Sequence, residues 1–159
     1  MRKLATIICV AVAAAGPACA EGLTAAAEAA ISRYRAEHGL PAGDPYSAGS
    51  ALAEMAGTTV VVTLGAAGAA AFTGKQGWEV GTIPVKPVDT TGAGDAFVGA
   101  FAAALDEGSD LPTALRWASA AGALACLTVG AQPSLPQRAD IEKRVKELAP
   151  ATKMKKGRG

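Results

Sequence analysis

The chain has 159 residues, with 15 Lys and Arg against 14 Asp and Glu, a formal net charge of +1, 50% hydrophobic residues and 18% charged ones. That size suits one domain around one core, and that composition is globular rather than disordered. The balance excludes an electrostatically driven nucleic-acid partner, because the only basic cluster is Lys153, Lys155, Lys156 and Arg158 at the chain end.

Residues 1–20 read as a secretory signal peptide. Arg2 and Lys3 are a positive start, Leu4 to Ala15 a continuous apolar run, and Ala18-Cys19-Ala20 a small-x-small cleavage pattern. The run falls short of the roughly 20 apolar residues that span a bilayer, so no stable membrane span is expected. Cleavage after Ala20 removes Cys9 and Cys19, and the remaining Cys126 has no partner for an intramolecular disulfide. Residues 21–57 are expected to be a helix and a linker of uncertain origin. Thr24 is a plausible N-cap, Ala26, Ala29, Ala30, Ile31 and Tyr34 share one face, and Gly39-Leu40-Pro41 ends the helix. The string from Ala30 to Pro41 faintly resembles the first helix of secreted CAP-superfamily (pathogenesis-related) proteins. His38 closes the helix, where its charge opposes the dipole, and it has no second His or Cys nearby to make a metal site.

Between Pro41 and Gly57 the composition turns to Gly, Pro, Ser and Asp, which predicts a linker and a boundary. Thr59 to Leu64 is then a β-branched run of the kind buried on both faces of a parallel interior strand. Ala69 to Thr73 and Trp78 to Val85 are shorter strands, divided by the turn residues Gly74-Lys75-Gln76-Gly77.

The segment Val88-Asp89-Thr90-Thr91-Gly92-Ala93-Gly94-Asp95-Ala96-Phe97 joins a glycine loop directly to a helix that reaches about Leu105. Glycines let backbone amides approach a ligand, and a helix start offers free N–H groups and a favourable dipole to an anion. A carboxylate in that first turn, Asp95, is placed to take a proton from an alcohol attacking a phosphoryl group. The same string is also good capping chemistry, and spacing alone leaves both readings open.

Further on, Asp110 caps a helix with Pro112 in its first turn. Ala114, Leu115, Ala118, Ala121, Gly122, Ala125 and Cys126 keep a narrow packing face. Cys126 reads as core, and Trp78 and Trp117 as packing residues. Asp140 to Leu148 predicts an amphipathic terminal helix with Ile141, Val145 and Leu148 on one stripe, and residues 149–159 a solvated basic tail. Two competing motifs fail. Gly68 and Gly74 are one residue too far apart for a P-loop, with Gln76 in place of its Ser or Thr, and Thr63 to Gly68 lacks the spacing and later acid of a dinucleotide fold.

Asp89-Thr90-Thr91-Gly92-Ala93-Gly94-Asp95-Ala96-Phe97 closely resembles the C-terminal signature of the ribokinase (PfkB) carbohydrate-kinase family. The resemblance extends over residues 58–148. Thr63-Leu64-Gly65-Ala66-Ala67-Gly68 is similar to the family's nucleotide turn, and Gly130-Ala131-Gln132-Pro133-Ser134 to its late loop. It implies an α/β chain, the C-terminal part of a three-layer α/β/α sandwich, that phosphorylates a sugar with ATP and Mg2+. It implies Asp95 as general base, Gly92, Ala93 and Gly94 as anion hole, and Thr63, Leu64, Gly65, Ala66, Ala67, Gly68 and Ser119 as nucleotide contacts. Asp89, Thr91, Ala125, Thr128, Gly130 and Ser134 would hold a monovalent cation, usually K+, whose weak hydration suits an all-oxygen cage.

The resemblance also implies that the family's sugar-contacting N-terminal half has no counterpart here. Positioning supplies much of phosphoryl-transfer catalysis, so an isolated chain is expected to be a weak or inactive kinase unless a second copy or a complementing chain supplies that half. The alternatives are a non-catalytic ATP- or anion-binding module and an exported or unstable remnant. The family implies a cytoplasmic enzyme, against the export expected from residues 1–20.

Overall fold

A computed structural model of the chain describes residues 7–11 and 45–154. Its centre is a five-stranded sheet in the order β1-β2-β3-β4-β5, formed by Ile7–Ala11, Thr59–Thr63, Ala69–Thr73, Gln76–Val80 and Thr152–Lys153. β1 runs parallel to β2, and every other neighbouring pair is antiparallel.

The valine run of β2 is buried on both faces, because successive side chains point to opposite sides and each side carries a helix layer. Val60 and Val62 pack with Ala70 and Phe72 of β3 and with Ala53 of α1 (Pro45–Ala56). Val61, Ala69 and Ala71 face the other way, toward Phe97 and Phe101 of α2 (Ala93–Asp106) and Ala114, Leu115 and Ala118 of α3 (Leu111–Ala125). Each such buried valine contributes about 1.5–3 kcal/mol over its exposed state. Two-sided burial gives the three-layer arrangement expected of the sequence. A third cluster joins Ile83, Ala120, Ala121 and Ala125 to Ile141 of α4 (Arg138–Arg144) and to Leu148. Arg116 fastens that end by donating to the carbonyls of Val145 (3.0 Å) and Leu148 (2.6 Å).

Several expectations change. Ile7–Ala11 lies within the apolar run read as a signal peptide, yet it forms the strand beside β2. A continuous apolar run is the pattern of a buried parallel strand as much as of a signal core, and periodicity does not separate them. The cleavage pattern at residues 18–20, the helix over residues 24–40, His38 and the turn over residues 41–44 lie outside the described residues. The expected linker is instead α1 from Pro45. Proline is tolerated in a first turn, and a Cβ on Gly49 would stand 2.7 Å from Phe72 Cδ2, so this glycine is a packing choice rather than a turn signal. β4 begins at Gln76 and stops at Val80, before Gly81 and Pro84, so the expected strand to Val85 is shorter and the hairpin turn tighter. The terminal helix ends at Arg144 and tightens into a single 3-10 turn over Val145–Glu147. The start of the supposed tail is ordered: Thr152–Lys153 pairs with β4, and Met154 N–H donates to Gly77 O at 2.9 Å. Residues 155–159 lie outside the described residues.

Candidate active site

Two loops and one helix start converge at the end of α3. Val88 N–H donates to Cys126 O at 2.8 Å, which lays the segment leading into the glycine loop along the C-terminus of α3. Asp89 then accepts from Thr91 N–H (Oδ1, 2.9 Å) and from Gly130 N–H (Oδ2, 2.8 Å), tying this segment to the late loop. These bonds, the one from Gly130 foremost, hold the Asp89 carboxyl down at about 2. Ser134 is buried, with its hydroxyl 2.7 Å from Ala131 O and 3.3 Å from Thr91 O.

Gly92 caps α2 at φ 83, a left-handed conformation that side chains resist. A Cβ there would stand 2.8 Å from Ala131 O and 3.0 Å from Ser134 Oγ, so the two loops touch through the missing side chain. Ala96 N–H donates to Gly92 O (2.9 Å), the first bond of the helix. The amides of Gly94 and Asp95 lie before it and have no acceptor within the helix. Ala93 is different: its N–H donates to Thr90 O at 3.2 Å. Of the expected anion hole of Gly92, Ala93 and Gly94, the Ala93 amide is thus engaged inside the loop, while Gly94 and the neighbouring Asp95 have amides without a helix acceptor. Asp95 is exposed in this first turn and lines a cleft of about 320 Å3 with Gly99, Ala103, Glu107, Trp117 and Arg138.

The expected nucleotide turn has a distinct shape. Thr63 ends β2, Leu64 follows half-buried, and Gly65, Ala66 and Ala67 form an exposed 3-10 turn, closed by Leu64 N–H donating to Gly68 O at 2.8 Å. Gly68 has φ 101, and a Cβ on it would run into the Val80 carbonyl oxygen. β3 separates Gly68 from Gly74, which agrees with rejecting a P-loop. One turn of α3 links this region to the glycine loop. Ser119 donates to Gly81 O (2.7 Å), and a Cβ on Gly122, three residues on, would stand 3.3 Å from Ala93 O.

Ser119 is 4% exposed and its hydroxyl donates to Gly81 O, so it fastens α3 to the segment after β4. The Gly81 partnership and the pairing of Trp117 with Arg138, whose guanidinium lies 5.4 Å over the indole, were not foreseen. Arg138 also makes a bidentate pair with Glu107. These contacts join residues more than twenty positions apart, with no local pattern to signal them.

Four of the six expected cation residues, Asp89, Thr91, Gly130 and Ser134, are joined by the bonds above. Ala125 and Thr128 stand at the adjoining end of α3, where Thr128 N–H donates to Ala125 O at 3.4 Å. Their donors are carbonyl, hydroxyl and carboxylate oxygens, a set that fits a weakly hydrated monovalent cation. Among the described residues no three His, Cys, Asp or Glu side chains gather as a transition metal would require. Cys126 is part-buried, its thiol pushed up by burial and then by the Asp89 charge, which agrees with a packing role. No helix among the described residues is long and apolar enough to cross a membrane.

With this geometry in view, residues 19–138 match the pfkB family carbohydrate kinase family, a span that begins well upstream of residue 58. The ribokinase of Bacillus subtilis (strain 168) is 44% identical over 81 residues, covering 51% of this chain and 28% of that protein. The structure of Arabidopsis thaliana ribokinase complexed with ribose and ATP is similar at TM-score 0.64 and 37% identity, covering 75% of this chain and 39% of that one. The structure of phosphofructokinase-2 from Escherichia coli in complex with potassium is similar at TM-score 0.60 and 30% identity, covering 71% and 37%. The chain thus spans less than half the length of these relatives.

Proposed function

The chain belongs to the pfkB family of carbohydrate kinases, and on that premise we propose that its glycine loop holds the transferring phosphoryl group of ATP while Asp95 accepts the proton of an attacking sugar hydroxyl. The observation that carries this reading is that Asp95 and the unpaired amides of Gly94 and Asp95 share the first turn of α2. A base and an anion site on one turn serve the two ends of the same reaction. The hydroxyl oxygen forms a bond to the γ-phosphorus, its proton passes to the Asp95 carboxylate, and the bridging bond to the β-phosphate breaks to release ADP. The charge growing on the phosphoryl oxygens meets fixed N–H dipoles that need no rearrangement.

The turn from Thr63 to Gly68 is the nucleotide contact in this reading, because Gly65, Ala66 and Ala67 present an exposed backbone near the end of the sheet. Magnesium bound to the phosphates of ATP supplies charge neutralisation there. The oxygens of Asp89, Thr91, Ala125, Thr128, Gly130 and Ser134 would hold K+ beside the loop. The Arabidopsis relative with ribose and ATP, and the Escherichia coli relative with potassium, support the choice of ligands.

Phosphoryl transfer from ATP to ribose and to fructose, read as sugar phosphate formed by the full chain, tests the proposal. At most weak transfer is expected of the chain alone, with Asp95→Asn slowing it further by roughly 10²–10⁴-fold. Transfer equal in the variant would remove Asp95 as the base. MgATP binding without transfer would leave only a nucleotide-binding module.

A further inference from the structure

The cleft along α2 has an apolar middle and two unlike ends. Asp95, Gly99, Ala103 and Glu107 follow one face of the helix at i, i+4 spacing, and at about 1.5 Å of rise per residue the cleft runs roughly 18 Å between its ends. Ala96, Gly99, Ala100 and Ala103 line its middle from α2, and Leu135, Pro136 and Ile141 line it from α4 and the segment before it. None of these side chains can donate or accept a hydrogen bond. Leu135 is 44% exposed, and Gly99 and Ala103 are exposed as well, so the apolar stretch is open. At one end Glu107 and Arg138 pair with each other, and the guanidinium lies over Trp117, so these groups are already engaged. At the other end the Asp95 carboxylate has no hydrogen-bond or ion-pair partner among the described residues. The amides of Gly94 and Asp95 assigned to the phosphoryl group stand at that same end.

We propose that this cleft seats the acceptor, and that the acceptor is a sugar bearing an apolar body, as an aryl glycoside does, with a free hydroxyl at Asp95 and the apolar body along Gly99 and Ala103; the proposal rests on reading Asp95 as the base. A bare monosaccharide carries a hydroxyl on nearly every carbon, and those hydroxyls would leave water for a surface that offers them no partner. An apolar body gains from the same surface, and a cleft of about 320 Å3 is of a size that holds a small ligand. The reaction is the one described above: the hydroxyl oxygen bonds to the γ-phosphorus, its proton passes to Asp95, and ADP leaves with the electrons of the broken bond.

The test titrates the full chain with methyl β-D-ribofuranoside and with phenyl β-D-ribofuranoside, which share the sugar and its primary hydroxyl and differ only in the apolar body. Affinity is read by calorimetry and the place of binding by NMR shifts of backbone amides. The phenyl glycoside is expected to bind tighter by about tenfold or more, and to shift Gly99 and Ala103. Ala103→Leu fills the middle of the cleft from an exposed helix position and should bring the two glycosides to equal affinity, with cooperative unfolding retained. Equal affinity in the wild type would overturn the proposal, and this comparison needs no variant to fold. Shifts confined to residues away from α2 would overturn it as well, as would a phenyl preference that survives in Ala103→Leu. The base is tested separately. A phenyl glycoside seated at Gly99 and Ala103 but phosphorylated as fast by Asp95→Asn as by the wild type would remove Asp95 as the base and leave the apolar seat standing.

Discussion

Replacing Gly94 by alanine should make the protein more stable and a poorer ligand binder. Gly94 is the second residue of α2, it does not have a positive φ, and no neighbouring atom lies within 4 Å of the position its Cβ would take. The same is true of Gly99, one turn later in the same helix. Glycine in a helix costs about 0.5–1 kcal/mol relative to alanine, so each substitution should be stabilising by up to that amount. For a chain of this size that is a rise in Tm of about 1–4 °C. The ligand effects should differ. The Gly94 amide has no acceptor within the helix and is one of the two assigned to the phosphoryl group, whereas the Gly99 amide is spent inside the helix. A methyl at residue 94 stands where a phosphate oxygen must come, and losing one hydrogen bond to a charged group costs about 1.5–3 kcal/mol, or roughly 10–100-fold in affinity. Thermal unfolding and calorimetric titration with MgATP read the two effects separately. Gly94→Ala binding MgATP as tightly as the wild type would refute the placement of the phosphate, and so would an equal loss in Gly99→Ala.

Gly68→Ala should destabilise by about 3 kcal/mol or more, from the left-handed φ together with the collision with Val80 O, and denaturant unfolding would show it. Arg116→Ala removes the donor to Val145 and Leu148; a loss of about 1.5–3 kcal/mol is expected, with faster amide exchange at Met154 as β5 loosens. Asp110→Ala removes the side chain that accepts from Thr113 N–H at the start of α3 and should cost about 1 kcal/mol, read from the shift in unfolding midpoint. Acid should weaken the fold in a defined window. Asp89 is held at about 2 against its usual 3.8, and Asp110 is lowered in the same direction by its bonds to Thr113. Folded-state values below the unfolded ones mean stability that is present above about pH 4 and is lost as Asp89 protonates toward pH 2. The Tm of Asp89→Asn should therefore fall less steeply than the wild type's across that range.

The parts of this protein that were legible in its sequence are those where one local pattern has one physical meaning. Thr59 to Thr63 is β-branched throughout and forms the two-sided strand it implies. Asp110 followed by Pro112 announces a cap, and its carboxylate accepts from Thr113 N–H at 2.9 Å. Local reading is ambiguous where one pattern has two meanings. Ile7 to Ala11 suits both a signal core and a strand, and in the structure it pairs with β2. Gly49 and Pro45 look like turn residues until Phe72 requires a helix surface without a Cβ. In the candidate site, Gly92 and Asp95 were legible because a glycine loop and a first-turn carboxylate are adjacent in the chain. The Asp89 to Gly130 bond, the Ser119 to Gly81 bond and the Arg138 contact over Trp117 depend on tertiary approach, which no local spacing encodes.

The central question is whether the full chain holds a nucleotide at the start of α2. Thermal unfolding with and without MgATP in potassium chloride measures this, since a ligand at one hundred times its Kd stabilises by about 2.7 kcal/mol, or about 5–10 °C for a chain of this size. One cooperative transition is expected, rising with MgATP in the wild type and Gly99→Ala and rising much less in Gly94→Ala. A transition unmoved by MgATP in the wild type would contradict it.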